Sequence, residues 1–276
     1  MSICATMGKY REGGQNMKII TLLENTTARE DLTSEHGLSL YIETKHQKIL
    51  FDTGASNAFA ENAKKLGVDL EEVDFAVLSH GHSDHGGGLK RFLELNSNAP
   101  VYLRPEAFGS YHNATGAYIG IDPSLRNHPR LRPAEHIHSL GEGITLYSAN
   151  DKERFVPLDS AGLTVLQGGA QQPDDFLHEQ YLLIEEGGKR VLISGCSHKG
   201  ILNIARWFQP DVLIGGFHYM RVDAEDPMLI SAANTLLQYP TRYYTGHCTG
   251  QPQYDVMKEI MKDRLESLST GLTIEL

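Results

Sequence analysis

The segment LSHGHSDHGGGL, residues 78–89, gives the strongest indication of the fold. It continues a short apolar strand predicted over 75–79 and leads into a helix predicted over 88–95, where apolar residues recur at helical spacing. Four potential metal ligands therefore lie in one turn between a strand and a helix: His80, His82, Asp84 and His85.

The spacing of these four side chains predicts a metal site. Residues two apart in an extended chain point to the same side, so the imidazoles of His80 and His82 can bind one ion. Asp84 and His85 are adjacent, and the turn into the helix can aim both inward. Two ions bridged by water would use this many ligands. A solvated histidine-rich turn is the alternative, and the density of ligands argues against it.

The HxHxDH pattern after a short apolar strand resembles the hallmark of the metallo-β-lactamase superfamily. The turn Phe51-Asp52-Thr53-Gly54 is similar to the DTG turn of that superfamily. The resemblance implies that Asp52 hydrogen-bonds a ligand histidine and holds its tautomer; a plain turn-forming role is the alternative. It also implies an α/β fold, the four-layer αββα sandwich, with a dinuclear metal site between the loop edges of two sheets.

The same resemblance assigns further ligands to later parts of the chain. The superfamily has a histidine before a hairpin, an acidic residue or cysteine at the end of the next strand, and a late histidine; these correspond to His178, Cys196 and His247. A thiolate suits Zn²⁺ or Fe²⁺, whereas a small buried hydrophobe is the alternative for Cys196. The expected ligands are His80, His82 and His178 for the first ion, and Asp84, His85 and His247 for the second, with Cys196 as a further ligand.

Three shorter motifs are similar to one branch of the superfamily: GCSHKG at 195–200, GGFH at 215–218 and TGHCTG at 245–250. This branch is named 7,8-dihydropterin-6-ylmethyl-4-(β-D-ribofuranosyl)aminobenzene-5′-phosphate synthase, and also metal-dependent hydrolases of β-lactamase superfamily II. The resemblance implies attack of an activated water on an ester or phosphoester. The branch name implies instead the condensation of a phosphoribosyl compound with an aminobenzoate.

Other candidate site residues follow strand ends or lie in a basic segment. His198 is a candidate proton donor or alternative ligand, and Asp84 is expected to orient the nucleophile as well as bind metal. Lys199 begins the next predicted helix, whose N-terminus favours anions. His218 and Arg130 are candidate substrate contacts, and an arginine can clamp a phosphate or carboxylate. A structural role is the alternative for His198, His218 and Arg130.

Apolar periodicity and turn residues organise the rest of the chain. Residues 1–16 lack such periodicity and are predicted to be a flexible extension, whereas 17–276 form one metallo-β-lactamase-like domain. Within it, 104–142 is predicted to be an insertion that covers the metal cleft. The predicted strands are 18–24, 38–44, 48–52, 75–79, 101–103, 145–147, 163–166, 181–185, 190–194, 212–214, 242–245 and 272–276, and the predicted helices are 55–66, 88–95, 199–208, 228–237 and 253–265.

The net charge, the apolar runs and the cysteine count argue against several classes of protein. The 276 residues carry a formal net charge of −10, which argues against nucleic-acid or anionic-membrane binding as the main task. No apolar run reaches the length of a transmembrane helix, and three cysteines make no disulfide framework, so a cytoplasmic location is expected.

The function expected from these features is that of a metal-dependent hydrolase or synthase. It would act on a small anionic substrate bearing a phosphate or carboxylate, with a pterin-like group as one candidate. Two divalent metal ions are expected, Zn²⁺ foremost and Mn²⁺ or Fe²⁺ as alternatives. A metal-dependent nuclease or phosphodiesterase and a non-catalytic metal or ligand sensor are the competing hypotheses. The oligomeric state stays open.

Overall fold

The computed structural model describes residues 17–276, so the prediction for 1–16 lies outside the described residues. The strands are β1 (Lys18–Leu23), β2 (Ser39–Glu43), β3 (Lys48–Phe51), β4 (Phe75–Val77), β5 (Val101–Leu103), β6 (Tyr111–His112), β7 (Leu131–Pro133), β8 (Ile137–Gly141), β9 (Ile144–Tyr147), β10 (Thr164–Gln167), β11 (Ala170–Pro173), β12 (Tyr181–Glu186), β13 (Lys189–Ile193), β14 (Val212–Ile214), β15 (Arg242–Thr245), β16 (Leu265–Ser267) and β17 (Thr273–Glu275). The helices are α1 (Ala58–Lys65), α2 (Ser83–Gly86), α3 (Leu89–Leu95), α4 (Ile201–Phe208), α5 (Pro227–Leu236) and α6 (Gln251–Met261).

Two seven-stranded sheets form the inner layers of the molecule. The first has the strand order β17-β1-β2-β3-β4-β5-β7, and the second has the order β16-β15-β14-β13-β12-β9-β8. In the first sheet β3, β4 and β5 are parallel, and in the second β13, β14 and β15 are parallel. Because the carboxyl ends of parallel strands meet at one edge of a sheet, the residues that follow these strands come together there.

Three apolar cores hold the layers together. Strand side chains alternate between the two faces of a sheet, and those on the inner faces, such as Phe51 and Ile193, pack between the sheets. On the outer faces, Phe59 and Phe92 of α1 and α3 pack on the first sheet, and Ile204 of α4 packs on the second with α5 and α6. Each fully buried side chain of this size contributes about 1.5–3 kcal/mol. The predicted four-layer αββα sandwich is confirmed.

Residues 104–142 divide between the cleft and the sheets. The first half contains β6, and there the carbonyl of Ile119 accepts the N–H of Ser83 in the HxHxDH turn at 2.7 Å. The second half supplies β7 to the edge of the first sheet beside β5, and β8 to the edge of the second sheet beside β9. Within residues 17–276 no helix combines the length and apolar character that crossing a membrane requires.

The predicted helix 253–265 is shorter than expected at its carboxyl end. α6 ends at Met261, and Lys262 has a left-handed backbone with φ of 48°. The chain then forms β16, which lies parallel to β15. The apolar residues Leu265 and Leu268 continue the helical spacing in the sequence, so the spacing alone does not reveal this break.

Candidate metal centre

The HxHxDH turn joins β4 to the single helical turn α2. His82 precedes α2 with an extended backbone, and its ring centroid lies 4.7 Å from that of His80, so both imidazoles lie on one side as the spacing predicts. Gly81 lies between these two histidines, and a Cβ at this position would collide with the carbonyl of Ala107. The glycine therefore lets the first half of 104–142 approach the turn closely.

One group of ligand-type side chains comprises Asp84, His85, Cys196 and His247, whose ligand atoms all lie within 4.8 Å of one another. His85 Nε2 is 3.0 Å from Cys196 Sγ and 3.1 Å from His247 Nε2. Asp84 Oδ2 is 3.2 Å from His247 Nε2. A carboxylate, two imidazoles and a thiol in this arrangement suit a divalent ion such as Zn²⁺. The structure thus brings together the four residues predicted for the second ion.

Hydrogen bonds orient both histidines of this group. Nδ1 of His85 lies 2.6 Å from Asp52 Oδ2, and Nδ1 of His247 lies 2.9 Å from Asn25 Oδ1. Since a carboxylate or amide oxygen accepts, each Nδ1 carries the hydrogen and each Nε2 keeps its lone pair for an ion. Glu24 adds to the support by accepting the backbone N–H of His247 at 2.6 Å.

A second group comprises His80, His82 and His198, and all three side chains are buried. His80 Nε2 is 3.3 Å from His198 Nε2, and the rings of His82 and His198 have centroids 4.9 Å apart. Within residues 17–276, the buried Nε2 of His82 and Nδ1 of His198 have no hydrogen-bond partner. Buried polar atoms without partners are costly, and a metal ion here would supply the missing interaction for a ligand nitrogen.

The electrostatic environment keeps His80 and His198 of this group in the form that binds metal. Burial, followed by the proximity of other histidines, lowers the pKa of His80 and of His198 well below the usual value. Both imidazoles are therefore neutral near pH 7, and only a neutral imidazole has a lone pair for an ion. Nδ1 of His80 lies 2.7 Å from Ser79 Oγ, which leaves Nε2 to face His198.

His178 is placed differently from the expectation for the first ion. Its Nδ1 accepts the backbone N–H of Gly81 at 2.8 Å, and its Nε2 lies 3.1 Å from Asp174 Oδ2. It forms a third ligand-type group with His82 and Asp174. Both ring nitrogens thus have partners within the chain, and His198 takes the position beside His80 where we expected His178.

A cleft of about 260 Å³ is shared by residues of the first two groups and by the segments around them. His218 lies in it with a left-handed backbone, φ 58°, and its ring centroid is 4.3 Å from that of His198. Strained backbone of this kind clusters at functional sites. The cleft is lined by His36, His82, Ser83, Asp84, Asn113, Ile119, Leu163, Cys196, His198, His218, Met220, Arg221 and Cys248.

Comparison with known proteins agrees with this geometry. Residues 32–247 match the family model of the metallo-β-lactamase superfamily. The chain belongs to this superfamily. It is 30% identical, over 94% of its length and 97% of the relative, to the 7,8-dihydropterin-6-methyl-4-(β-D-ribofuranosyl)-aminobenzene-5′-phosphate synthase of Methanocaldococcus jannaschii. The predicted resemblance is therefore confirmed, and this metallo-β-lactamase superfamily member is an enzyme of that fold.

Solved structures support the same assignment. The crystal structure of Tm1679, a metal-dependent hydrolase of the β-lactamase superfamily, superposes with a TM-score of 0.78 at 29% identity and covers 94% of this chain and 99% of that one. The metallo-β-lactamase fold protein YhfI from Bacillus subtilis superposes with a TM-score of 0.60 at 13% identity, covering 95% and 100% of the two chains, and shows the shared fold.

Lys199 of this superfamily member does not reach the cleft. Its Nζ is fully buried and donates to the carbonyl oxygens of Ser148 at 2.8 Å and Glu179 at 2.9 Å. Burial lowers the pKa of Lys199 to about 8. The carboxylate of Glu179 accepts the backbone N–H groups of His198 and Lys199 at 2.6 and 3.0 Å. Lys199 therefore supports the loop that carries Cys196 and His198, and its predicted contact with substrate is not seen.

Arg130 is also placed away from the cleft. Its guanidinium donates to the carbonyl oxygens of Leu93 and Asn96, which the carboxyl-terminal end of α3 leaves without helical partners, and to that of Ala99 beyond the helix. A cation is favourable at that end of a helix. The predicted substrate contact of Arg130 is therefore replaced by a capping role.

Several residues that hydrogen-bond the ligand-type histidines or the loops that carry them were not predicted from the sequence. Glu24 and Asn25 follow β1, whose carboxyl end lies at the same edge of the sheet as that of β3, because both strands are antiparallel to β2. The strand-end argument that selected His218 would have selected these two residues as well. Asp174 has no comparable signal, because it acts through the neighbouring His178 rather than through a recognisable motif.

Proposed function

We propose that this enzyme is a metal-dependent hydrolase that binds two divalent ions and acts on a small anionic substrate. The observation that carries the proposal is the pair of ligand-type groups, Asp84/His85/Cys196/His247 and His80/His82/His198, that share one cleft. In the group of His80, His82 and His198, the buried Nε2 of His82 has no hydrogen-bond partner within residues 17–276. In the group of Asp84, His85, Cys196 and His247, the Nε2 atoms of both histidines are oriented for an ion. Both features support occupation by metal.

The chain's own residues divide the chemical tasks. When bound, two divalent ions polarise a carbonyl or phosphoryl oxygen and activate a water at neutral pH. Asp84, whose side chain is 24% exposed and whose Oδ2 faces His247, can accept a hydrogen bond from that water and orient it. His218 lines the cleft beside His198 and is a candidate hydrogen-bonding contact to the substrate.

The ligand types favour Zn²⁺ and leave Fe²⁺ and Mn²⁺ as alternatives. Imidazole suits Zn²⁺ and Fe²⁺, and the thiolate that Cys196 would supply is a soft ligand that suits the same ions. Mn²⁺ prefers carboxylate and water ligands, and Asp84 is the carboxylate of the four-residue group. We therefore expect Zn²⁺ in the native protein.

A second candidate is a synthase-like reaction. It is supported by the related protein from Methanocaldococcus jannaschii, which aligns with 94% of this chain. The name of that protein describes the synthesis of a ribofuranosyl-aminobenzene phosphate that carries a dihydropterin. The ribofuranosyl-aminobenzene phosphate part of that product would form in the same cleft from a phosphoribosyl pyrophosphate and an aminobenzoate, with release of pyrophosphate and CO₂. Both candidates require metal and an anionic substrate, so the reaction products distinguish them.

The test combines metal analysis with a substrate panel. We expect purified protein from metal-replete growth to contain about two transition-metal ions per chain and to hydrolyse one of a set of phosphoesters, lactones and thioesters. His82→Ala and Asp84→Ala should lose metal and activity. His46→Ala, at an exposed histidine in the β2–β3 turn, is the matched control and should lose neither.

The same panel separates the competing functions. Formation of a ribofuranosyl-aminobenzene phosphate from a phosphoribosyl pyrophosphate and an aminobenzoate, detected by mass spectrometry together with released pyrophosphate and CO₂, would favour the synthase. Cleavage of single-stranded oligonucleotides in preference to small phosphoesters would favour a nuclease. Full metal content without turnover of any compound would favour a sensor, and wild-type protein without transition metal would contradict the proposal.

A further inference from the structure

The cleft contains one strongly basic side chain. Among residues 17–276, Arg221 is the single lysine or arginine that lines it. The two basic residues that the sequence suggested for a substrate anion, Lys199 and Arg130, donate to backbone carbonyls elsewhere. In a chain with a formal net charge of −10, the guanidinium of Arg221 is therefore a local cation beside the metal groups.

The guanidinium of Arg221 is held in place by a tight turn. Its Nη1 donates to the carbonyl oxygen of Ala161 at 2.8 Å. Ala161 has a left-handed backbone, φ 50°, and its N–H donates to Asp159 Oδ1 at 2.8 Å. The turn ends at Leu163, which lines the same cleft. One of the guanidinium's N–H groups is used in this anchor, and the planar fork has five.

The backbone around Arg221 is fixed as well. The N–H of Met220 donates to the carbonyl of Cys248 at 3.0 Å, which ties this loop to the one that carries His247. On the other side, the carbonyl of Val222 accepts from Gln253 Nε2 at 2.6 Å. A cation held at both ends of its loop loses little conformational freedom when it binds a ligand.

The other residues that line the cleft indicate which kind of ligand would fit it. Ile119, Leu163 and Met220 give the cleft apolar surface, while Asn113 and His218 give it polar surface. Such a cleft suits a molecule with an apolar or aromatic part and one charged group. Arginine binds phosphate and carboxylate through two parallel hydrogen bonds. We propose that Arg221 binds the oxyanion of the substrate, a phosphate monoester or a carboxylate, at the mouth of the cleft.

This inference rests on the proposed function, because it concerns the substrate of the same site. Its test measures binding rather than turnover. Phenyl phosphate, benzoate and phenol are titrated calorimetrically into metal-loaded wild type, Arg221→Gln and Arg221→Lys. Arg91→Gln, at a partly exposed arginine of α3 paired with Glu94, is the matched control.

We expect Arg221→Gln to weaken binding of phenyl phosphate or benzoate at least tenfold, Arg221→Lys to weaken it less, and Arg91→Gln to leave it unchanged. The anion with the larger loss identifies the oxyanion. Phenol lacks the charge, so its weaker binding should not depend on Arg221. Equal affinity of wild type and Arg221→Gln for both anions, or no binding of either anion to wild type, would overturn the inference.

Metal content separates this result from a failure of the proposed function. Arg221 is not among the ligand-type groups, so Arg221→Gln should retain the wild-type metal content. Wild-type protein without metal would contradict the proposed function, while the same phenyl phosphate titrations of metal-free wild type and Arg221→Gln would still decide whether Arg221 binds the anion.

Discussion

The carboxylate of Asp52 lies 2.6 Å from Nδ1 of His85, and both side chains are completely buried. The same Oδ2 atom lies 2.7 Å from the hydroxyl of Ser79, which in turn lies 2.7 Å from Nδ1 of His80. His85 belongs to the four-residue group and His80 to the three-histidine group. One carboxylate therefore orients a ligand-type imidazole in each group, directly in one case and through a hydroxyl in the other.

Replacing Asp52 should weaken metal binding in both groups at once. Asp52→Asn keeps the size of the side chain but replaces one oxygen by an NH₂ group, which cannot accept the Nδ1 hydrogen of His85. Loss of such a supporting carboxylate lowers metal affinity by about 10- to 100-fold. Competition with a chromophoric chelator measures this directly. Asp69→Asn is the control, since Asp69 caps a surface turn by accepting the N–H of Glu71.

An unchanged affinity for both ions in Asp52→Asn would show that Asp52 only helps to form the turn after β3 and does not support metal binding. Loss of one ion alone would show that the hydroxyl of Ser79 orients His80 without the carboxylate. The predicted result requires both ions to bind more weakly in the same variant.

The structural elements that a single short segment of sequence encodes were predictable. HxHxDH and its flanking elements define a strand, a turn and a helix, and the structure has β4, α2 and α3 there. The resemblance to the superfamily then assigned Cys196 and His247 as further ligands, and the structure places both against His85. The local pattern and the resemblance together were sufficient for the group of Asp84, His85, Cys196 and His247.

The choice among equivalent side chains was not predictable, because it depends on the partners that packing provides. His178 and His198 are both histidines near the hairpin of β12 and β13, but the N–H of Gly81 and the carboxylate of Asp174 occupy the ring nitrogens of His178. From its position at the start of a predicted helix, Lys199 was expected to contact a substrate anion. Its ammonium group instead donates a hydrogen bond, in the interior, to the carbonyl of Ser148, 51 residues earlier in the chain. No local pattern encodes such distant partners.

Lys199 should matter for stability rather than for anion binding. Lys199→Met removes the donor to two buried carbonyl oxygens and the cation near the buried carboxyl of Glu179. Breaking buried polar contacts of this kind costs about 3 kcal/mol. Urea unfolding should show this loss, and Lys189→Met, at an exposed position of β13, should not. A stable Lys199→Met protein with weakened phenyl phosphate binding would instead restore Lys199 as a substrate contact.

The metal-free protein should lose stability as the pH falls below about 6.5. Burial lowers the pKa of His178 to about 4, although the hydrogen bond to Asp174 opposes the shift, and burial lowers the pKa of His247 to about 4 as well. An unfolded histidine has a pKa of about 6.5. The unfolded chain therefore binds protons first, and each such histidine contributes a slope of up to about 1.4 kcal/mol per pH unit between about pH 6.5 and 4.

Substitution of His178 tests the sign and size of this effect. His178→Asn keeps an acceptor for the N–H of Gly81 but removes the titrating ring. We expect the free energy of unfolding in chelator to fall less between pH 7 and 5 in His178→Asn than in wild type. His46→Asn, at an exposed histidine, should retain the wild-type slope. A slope that is steeper in His178→Asn would contradict the direction of the shift.

Cys196 should be a thiolate ligand when metal is bound, and cobalt can report it. Its Sγ lies 3.0 Å from His85 Nε2, and burial, followed by the neighbouring Cys248, raises the pKa of the thiol well above the usual value in the metal-free chain. A neutral buried thiol reacts slowly with alkylating reagents whether or not it is a ligand, so reactivity is a poor test. A thiolate bound to Co²⁺ instead gives a near-ultraviolet charge-transfer band.

Cys248 provides a matched control for this measurement, because it also lines the cleft and its Sγ lies 3.4 Å from the carbonyl oxygen of Cys196. With Cys4 replaced by serine, only these two cysteines remain of the three in the chain. We expect Co²⁺-loaded protein to show the band, Cys196→Ser to lose it together with at least tenfold in Co²⁺ affinity, and Cys248→Ser to keep both. A band that survives in Cys196→Ser and disappears in Cys248→Ser would assign the thiolate to Cys248. Absence of the band in the parent protein, loaded with two Co²⁺ ions, would reject sulfur ligation and leave Asp84, His85 and His247 to bind the ion without it.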